Sequence, residues 1–490
     1  MTADLSPPQR NTILARTPEL CRPGVVELAT LIRGRKVSAR EVMTAYLDHI
    51  ERTNHAHNAI VSLRPRETLL AEAEAADGRM VRGDVIGPLH GIPQAIKDLA
   101  STKGLRTTLG SPNFAANVPA TDGLIVERAR AAGAIIIGKT NTPEFGLGSN
   151  TYNPVFGITR NAYDTSRSSG GSSGGAAVAL ALRMLPVADG SDYAGSLRNP
   201  AGWNNVFGFR PSQGRVPSST EEELFWSQQA TDGPMGRSMI DLAALLSVQA
   251  GYDPRAPLSL GRPDAPYENK LHARPVKGMR IAWMADYGGH LPMEPGVLDV
   301  CAGGLKLFEE IGCTVEQKLP KFDFERLWQA FVTLRHFAIG GKRKPLYDDP
   351  AKRALMKPEA QFEVEGFLRL TAADLHAAAV ARSDWYRALL PLFDRYDALA
   401  LPSAQLFAFD ADWHWPREIA GRAMDSYHRW MEVVAGATMA GLPTVCIPAG
   451  FNGAGLAMGL QLIGPPRKDL AVLQLAQAYE DSCPWVQETP

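Results

Sequence analysis

Cysteine is scarce in this chain of 490 residues. The five cysteines are scattered, odd in number and not spaced like metal ligands: Cys21, Cys301, Cys313, Cys446 and Cys483. A disulfide framework or a zinc site would need paired or clustered cysteines. We therefore expect reduced, buried thiols, and neither a metal nor a cofactor.

Long apolar runs are also missing. No stretch reaches the roughly 18 apolar residues typical of a membrane-spanning helix, and the opening MTADLSPPQRNTI lacks the apolar core of a secretory signal. The formal net charge of -1 gives no reason to expect a nucleic-acid partner. We expect a cytoplasmic protein without a membrane or nucleic-acid partner, with a large core and more than one lobe.

Two serines stand in glycine-rich surroundings, Ser172 in GGSSGG and Ser196 in SDYAGS. Alone, GGSSGG is also typical of a flexible linker. The residues after it argue against a linker, because AAVALALRM favours a helix and LPVAD predicts a buried strand that ends at Gly190. A glycine-rich turn that opens a helix can surround an exposed hydroxyl with backbone N–H groups, as a nucleophile with an oxyanion site requires.

Several motifs together resemble those of the amidase signature family. They are GIPQAIKDL (91–99), AAGAIIIGKTNTPEFGLGSNTYNPVFGITRNAYD (131–164), GGSSGG, SDYAGSLRNPAG, FGFRPSQGRVP, AGLPTVCIPAGF and GLQLIGPP. Matching blocks run from about 25 to 250 and from about 395 to 482. The resemblance implies an α/β fold with a large twisted mixed sheet, mostly parallel, covered on both faces by helices. Alternating strand and helix signals between residues 89 and 140 agree with it.

The resemblance also implies a Ser-Ser-Lys triad. Ser196 would be the nucleophile, Ser172 the bridging serine, preceded by a cis peptide bond, and Lys97 the base. A lysine serves as a base only when burial keeps it neutral, and the apolar strand-like segment before Lys97 suits burial. Locally, an ordinary surface lysine paired with Asp98 fits the sequence as well. Ser173 either supports the triad through hydrogen bonds or fills a tight turn.

The same resemblance assigns an oxyanion hole to the backbone N–H groups of Tyr193, Ala194, Gly195 and Ser196. The family pattern here is Thr-Gly-Gly-Ser, so this chain departs from it at the first two positions. Alanine keeps its N–H donor, but it is suitable only if position 194 needs no left-handed conformation. We expect Tyr193 to reshape the neighbouring pocket.

Charged and apolar residues complete the predicted site. Asp192 and Arg198 flank the nucleophile; we expect them to pin its loop, although a solvated pair would contribute little. The resemblance implies that Phe145, Gly146, Leu147, Gly171 and Tyr193 contact the substrate. An apolar lining would suit aryl or alkyl amides.

The chain is predicted to comprise an arm (1–22), a catalytic domain (23–482) with a signature core at about 85–220, and a tail (483–490). A helical segment rich in aromatic residues, at about 320–395, lies inside the domain. We call it the helical region; most of its aromatic residues are expected in the core, and some over the site. Two amphipathic helices follow the arm, and Ser38 with Glu41 forms a capping box at the second.

The predicted activity is that of a hydrolase of C–N bonds other than peptide bonds. The substrate would be a small to medium, apolar or aromatic linear amide, cleaved through an acyl-serine; esters, carbamates and cyclic amides are further possibilities. SLRNPAGWNN resembles members related to hydrolases of cyclic nylon oligomers. Two alternatives stay open, a glutaminase-type subunit of a tRNA-dependent amidotransferase and a non-catalytic binding protein. We expect a monomer or homodimer.

Overall fold

The computed structural model describes residues 12–218, 223–226 and 228–490. Its helices are α1 Thr12–Arg16, α2 Val25–Arg33, α3 Ala39–His57, α4 Arg66–Arg82, α5 Leu124–Ala131, α6 Gly174–Ala181, α7 Asn199–Trp203, α8 Met239–Gln249, α9 Val297–Glu310, α10 Phe324–Arg335, α11 Gly341–Tyr347, α12 Pro350–Arg353, α13 Pro358–Arg369, α14 Ala372–Phe393, α15 Ala435–Ala440 and α16 Asp469–Glu480. Its strands are β1 Ile60–Val61, β2 Pro93–Lys97, β3 Ile135–Thr140, β4 Tyr152–Asn153, β5 Gly157–Ile158, β6 Ala188–Asp192, β7 Phe207–Arg210, β8 Thr231–Gly236, β9 Arg280–Trp283, β10 Thr314–Gln317, β11 Ala398–Pro402, β12 Glu418–Ile419, β13 Arg422–Ala423, β14 Thr444–Phe451 and β15 Ala457–Ile463.

The two amphipathic helices predicted after the arm are α2 and α3. At the start of α3 the Ser38 side chain accepts a hydrogen bond from the Glu41 N–H, and the Glu41 carboxylate accepts one from the Ser38 N–H. These reciprocal bonds satisfy two backbone donors that the first helical turn leaves free. The predicted capping box is confirmed.

The main sheet has eight strands in the order β10-β9-β11-β15-β14-β7-β8-β6. It is a mixed sheet within an α/β fold, as expected, but it is not mostly parallel. Two of its strand pairings are parallel and five are antiparallel. The expectation came from the β2-α5-β3 segment, which does form a parallel pair but belongs to a separate three-stranded sheet with β1. In the main sheet, a short turn joins β14 to β15, and a turn of this length permits only antiparallel neighbours.

Helices cover the sheet and build the core with it. Helices α9 and α16 pack against β14 and β15, α8 against β8, and α6 against β6. The largest hydrophobic cluster contains Trp203, Phe207 and Trp430 and extends into the helical region through Trp328 and Trp385. The main sheet and the helical region therefore share one buried hydrophobic core.

The helical region is helical, as predicted, and consists of α10 to α14 with a π-helical turn at His336–Gly340. Trp328, Phe331 and Trp385 are buried in the core, as expected. The π-helical turn lies next to the candidate site described below. Insertions of this type into helices are frequent at functional sites.

The ends of the chain pack on the domain where the structure describes them. Residues 1–11 of the predicted arm lie outside the described residues, whereas Cys21 is fully buried in a hydrophobic cluster. The Ile13 N–H donates to the Pro490 carbonyl, and the Tyr163 hydroxyl donates to the Glu488 carbonyl. The arm and the tail are thus in contact with each other and with the domain, while the division into arm, domain and tail stays a prediction.

Two predictions from residue scarcity can be compared with the structure. All five cysteines are buried as free thiols, as expected. Among the described residues, no helix is both long and apolar enough to cross a membrane.

Candidate active site

Lys97 lies at the end of β2 and is 1% exposed. Its strand pairs in parallel with β3, so that Lys97 lies opposite Thr140. The Lys97 Nζ is 2.7 Å from Ser172 Oγ and 2.8 Å from Ser173 Oγ. A third hydroxyl, Ser191 Oγ, is 3.0 Å away. The amine predicted to act as a base is thus held by hydroxyl groups and not by a carboxylate.

Burial lowers the pKa of Lys97 from its ordinary value to about 7. The negative charges of Asp232, Asp192 and Asp189 oppose this shift but do not cancel it. Loss of hydration disfavours the ammonium form more than these acids favour it. Near neutral pH, a substantial fraction of Lys97 is the neutral amine that a general base must be.

Asp98 does not pair with Lys97, and both residues are buried, so the alternative prediction of a surface lysine paired with Asp98 is wrong. Strand β2 ends at Lys97, and Asp98 lies in the turn that follows it. Asp98 instead accepts hydrogen bonds from the Thr108 N–H and hydroxyl, and it lies near the buried amine of Lys139. Burial lowers the pKa of Lys139 to about 8.

The bridging serine, Ser172, lies two residues before the start of helix α6. The Gly171-Ser172 peptide bond is cis, as the resemblance implied. Ser173 accepts from Lys97 and contacts the Ser191 carbonyl at 3.5 Å, and its N–H donates to the Ser196 carbonyl at 3.3 Å. Of the two roles considered for Ser173, the structure supports hydrogen bonding to the lysine and to neighbouring backbone.

Ser196 belongs to a segment between β6 and α7, residues 193–198, which we call the nucleophile loop. Gly195 has φ of +86°, whereas Ala194 is not in the left-handed region. A Cβ at position 195 would lie 2.0 Å from Asn199 Oδ1. The loop therefore requires glycine at 195. It accepts alanine at 194, where the family pattern has glycine, because this position needs no left-handed conformation.

One of the four predicted oxyanion donors already has an acceptor. The Gly195 N–H donates to Asp192 Oδ1 at 3.0 Å. Within the described ranges, no protein acceptor is found for the N–H groups of Tyr193, Ala194 and Ser196. These three groups, and not Gly195, are the donors that the loop leaves available to a ligand.

Asp192 and Arg198 form a buried ion pair rather than a solvated one, since neither side chain is exposed. Arg198 contacts both carboxylate oxygens of Asp192 at 2.9 and 3.0 Å, and Arg210 Nη1 lies 3.3 Å from Oδ1. Burial alone would raise the pKa of Asp192, but the two guanidinium groups outweigh burial and hold it well below its ordinary range. A permanently ionised Asp192 is thus fixed beside the loop and supports its shape through Gly195 and the Leu197 N–H.

A cavity of about 360 Å³ joins these groups. Lys97, Ser172 and Ser196 line it, together with the predicted contacts Phe145, Gly146 and Tyr193. The remaining lining is mixed. Its larger apolar residues are Leu99, Leu109, Leu124, Ile125, Val216, Leu224, Leu258 and Ile339, and its polar or charged residues include Ser101, Asp189, Gln213, Gln228, Thr231 and Asp232. Leu147 and Gly171, also predicted to bind substrate, are buried and lie outside the lining.

The helical region contributes one wall of this cavity. Ala338, Ile339, Lys342 and Arg343 line it. The Arg343 guanidinium lies over the Phe145 ring, 4.0 Å from its centroid, a distance typical of a cation–π contact. The helical region therefore borders the site, but its aromatic residues, some of which were expected over the site, are not among the residues that line the cavity.

Sequence reasoning missed Ser191 and Asp189. Strand β6 continues through Gly190 to Asp192, whereas the apolar pattern predicted its end at Gly190. Ser191 Oγ contacts the Lys97 amine, and Asp189 Oδ2 accepts from the Lys97 N–H at 3.1 Å. The alternation of side chains along a longer strand is the signal that would have placed both residues.

Known proteins match the chain along most of its length. Residues 41–473 match the family described as Amidase. An acylamidase of Rhodococcus erythropolis is 33% identical over 95% of this chain and 96% of its own. A glutamyl-tRNA(Gln) amidotransferase subunit of Thermosynechococcus vestitus is 33% identical over 95% and 99%.

Solved structures have the same fold. A bacterial aryl acylamidase of the amidase signature enzymes has a TM-score of 0.89 at 28% identity, over 95% of this chain and 97% of its own. A 6-aminohexanoate cyclic dimer hydrolase has a TM-score of 0.85 at 24% identity, over 96% and 99%. The chain belongs to the amidase signature family, and it is a hydrolase of C–N bonds other than peptide bonds.

Proposed function

We propose that the protein hydrolyses a small to medium amide with an apolar or aromatic acyl group, through an acyl-enzyme on Ser196. The observation that carries this proposal is the buried Lys97 amine, 2.7 Å from Ser172 Oγ in a cavity that Ser196 also lines. The apolar part of the cavity lining supports the substrate class. The acylamidase and aryl acylamidase relatives support it independently.

In the acylation step, neutral Lys97 takes the proton of Ser172 Oγ while Ser172 takes the proton of Ser196 Oγ. The Ser196 oxygen then bonds to the carbonyl carbon, and the carbonyl oxygen becomes an anion. The free N–H groups of the nucleophile loop would stabilise that anion by hydrogen bonds. When the tetrahedral intermediate collapses, the C–N bond breaks, and the proton returns from Lys97 through Ser172 to the departing nitrogen.

Deacylation reverses the same relay. Water attacks the acyl-serine ester, its proton passes through Ser172 to Lys97, and collapse returns a proton to Ser196 Oγ with release of the carboxylic acid. Esters and carbamates share the acylation step, so they are further substrates under this proposal, as are cyclic amides whose ring fits the cavity. No step uses a cofactor, and we propose a cytoplasmic monomer or homodimer.

Labelling with a fluorophosphonate probe, followed by peptide mass spectrometry, tests the assignment. We expect an adduct on Ser196 that is absent in Ser196→Ala and forms far more slowly in Lys97→Ala. Ser166→Ala and Lys352→Ala, at exposed positions, are matched controls and should label like the wild type. A folded wild type without an adduct would refute the nucleophile and favour the non-catalytic binding protein.

A glutaminase component of an amidotransferase is the second candidate, because the amidotransferase relative is as similar in sequence as the acylamidase. Release of ammonia from glutamine, measured beside hydrolysis of a 4-nitroanilide, separates the two. Preference for the anilide supports the first proposal, whereas glutamine hydrolysis only when partner proteins copurify supports the second.

A further inference from the structure

Lys357 joins the helical region to the catalytic core from a buried position, 6% exposed. It directly precedes α13, and its N–H donates to Glu144 Oε2 at 2.7 Å. Its Nζ donates to the Leu147 carbonyl, also at 2.7 Å. We propose that Lys357 is a positioning residue for acyl-group selection, because it holds both ends of the segment that carries Phe145 and Gly146. This inference rests on the proposed function.

The segment between these two bonds needs outside support. Phe145 and Gly146 have φ of +53° and +75°. A phenylalanine in the left-handed region is disfavoured and persists where its surroundings fix it. The Glu144 carboxylate, which accepts from Lys357, also accepts from Ser111 Oγ, so one end of the segment is anchored on two sides.

The position of this segment matters because it touches the triad. A Cβ on Gly146 would lie 3.3 Å from Ser172 Oγ and 2.9 Å from Leu99 Cδ1. The Phe145 ring lines the cavity between this point and Arg343. A small outward shift would enlarge or distort the acyl cavity while Ser172 and Lys97 keep their contacts.

The surroundings of Lys357 explain why a lysine can be buried there. Burial lowers its pKa, while Glu359, 3.8 Å from Nζ, and Glu144 oppose the shift. The Tyr152 ring lies 4.5 Å from Nζ and adds a cation–π contact. Replacing the amine with an apolar group would leave the Leu147 carbonyl without this donor.

The segment that carries Phe145 also packs against side chains of the helical region. Phe145 and Leu147 form a hydrophobic cluster with Met356, Ala360 and Val364, and Ile339 packs against it. Phe145 and Ile339 both line the cavity, so this cluster and Lys357 together fix one apolar part of its wall. We expect a large acyl group to lie against this part of the wall and an acetyl group to leave most of it uncovered.

The test compares acetyl and 4-phenylbutanoyl 4-nitroanilide, which share a leaving group. In Lys357→Met we expect KM for the larger substrate to rise about tenfold, while KM for the acetyl substrate and the kcat of both stay within about twofold. Labelling of Ser196 by a small fluorophosphonate should also stay within twofold. Lys352→Met replaces an exposed lysine on the neighbouring helix and should change KM and kcat for neither substrate.

Variants of Glu144 test the other end of the segment, where the Glu144 carboxylate accepts from the Lys357 N–H. Glu144→Ala should shift selectivity as Lys357→Met does, and Glu144→Gln, which keeps an oxygen acceptor, should restore wild-type selectivity. If Lys357→Met does not fold, this pair decides the question. An equal effect on both substrates, or none, in an active protein would overturn this inference alone. A wild type that neither labels nor hydrolyses would overturn the proposed function and this inference with it.

Discussion

Protonation of Lys97 should switch off hydrolysis, and the structure sets where this happens on the pH scale. Because burial lowers its pKa from 10.5 to about 7, the neutral amine is a major species at neutral pH. An ordinary lysine would be neutral in only about one molecule in 3000 at pH 7, so burial raises the active fraction by about 10³-fold. Below pH 7, activity should fall by about tenfold for each pH unit.

The assay is the pH profile of kcat/KM for a 4-nitroanilide between pH 5 and 10. We expect an acidic limb of unit slope that bends near pH 7, and residual activity without this limb in Lys97→Ala. A limb that bends near pH 10, or a flat wild-type profile, would refute the neutral-lysine mechanism. Lys352→Ala, with its exposed amine, should keep the wild-type profile.

The same pKa shift affects stability, which provides a readout independent of activity. The unfolded chain binds more protons at Lys97 between about pH 7 and 10.5, so the free energy of unfolding should rise with pH across this window. This residue contributes up to about 1.3 kcal/mol per pH unit. Urea unfolding of the wild type and of Lys97→Met across this pH range gives the contribution of Lys97 as the difference between the two slopes of unfolding free energy against pH. Equal slopes would mean that Lys97 is protonated in both the folded and the unfolded state.

Three further variants test the nucleophile loop. Gly195→Ala should lower kcat by at least about 100-fold, because a Cβ there would lie 2.0 Å from a side-chain oxygen. The control Gly303→Ala, which has open space around it, should keep wild-type activity. Equal activity of the two variants would contradict the proposed role of Gly195. Arg198→Met leaves Arg210 as the remaining cation beside Asp192 and should lower the free energy of unfolding by about 3–5 kcal/mol in urea titrations. A loss below about 1 kcal/mol would contradict a stabilising role for the buried ion pair. Tyr193→Phe removes a buried hydroxyl without a partner among the described residues, so Tm should stay equal or rise, and a clear fall would reveal a missed contact.

The sequence predicted the parts of the site whose chemistry follows from residue type and local pattern. The positions of Lys97, Ser172 and Ser173 around one amine, the cis bond before Ser172 and the capping box at Ser38 agree with it. Helix α6 covers most of the alanine-rich run that favoured a helix and begins two residues before it, at Gly174. Each of these features is set within a few residues or by a motif.

Features that depend on distant contacts were not predictable from local pattern. Strand β6 extends past Gly190 because β8 pairs with it as far as Asp192, and this extension brings Ser191 to the lysine. The pattern around β2 and β3 correctly indicates a parallel pair, but it cannot predict that β14 and β15, in the main sheet, pair antiparallel. The Gly195 N–H, predicted as an oxyanion donor, donates to Asp192 Oδ1, and the local sequence does not specify this bond.

The anchoring of Arg198 has a consequence for how the protein is made. Its guanidinium donates to the Val434 carbonyl and to Gln461 Oε1, which lie 236 and 263 positions further along the chain. At about 5–20 residues per second, a ribosome needs roughly 15–50 s to supply them after Arg198. A nascent chain of about 430 residues would carry Lys97, Ser172 and Ser196 yet hold a nucleophile loop whose arginine lacks these acceptors. Hydrolytic competence therefore arrives late in synthesis, when the last strand of the sheet is in place.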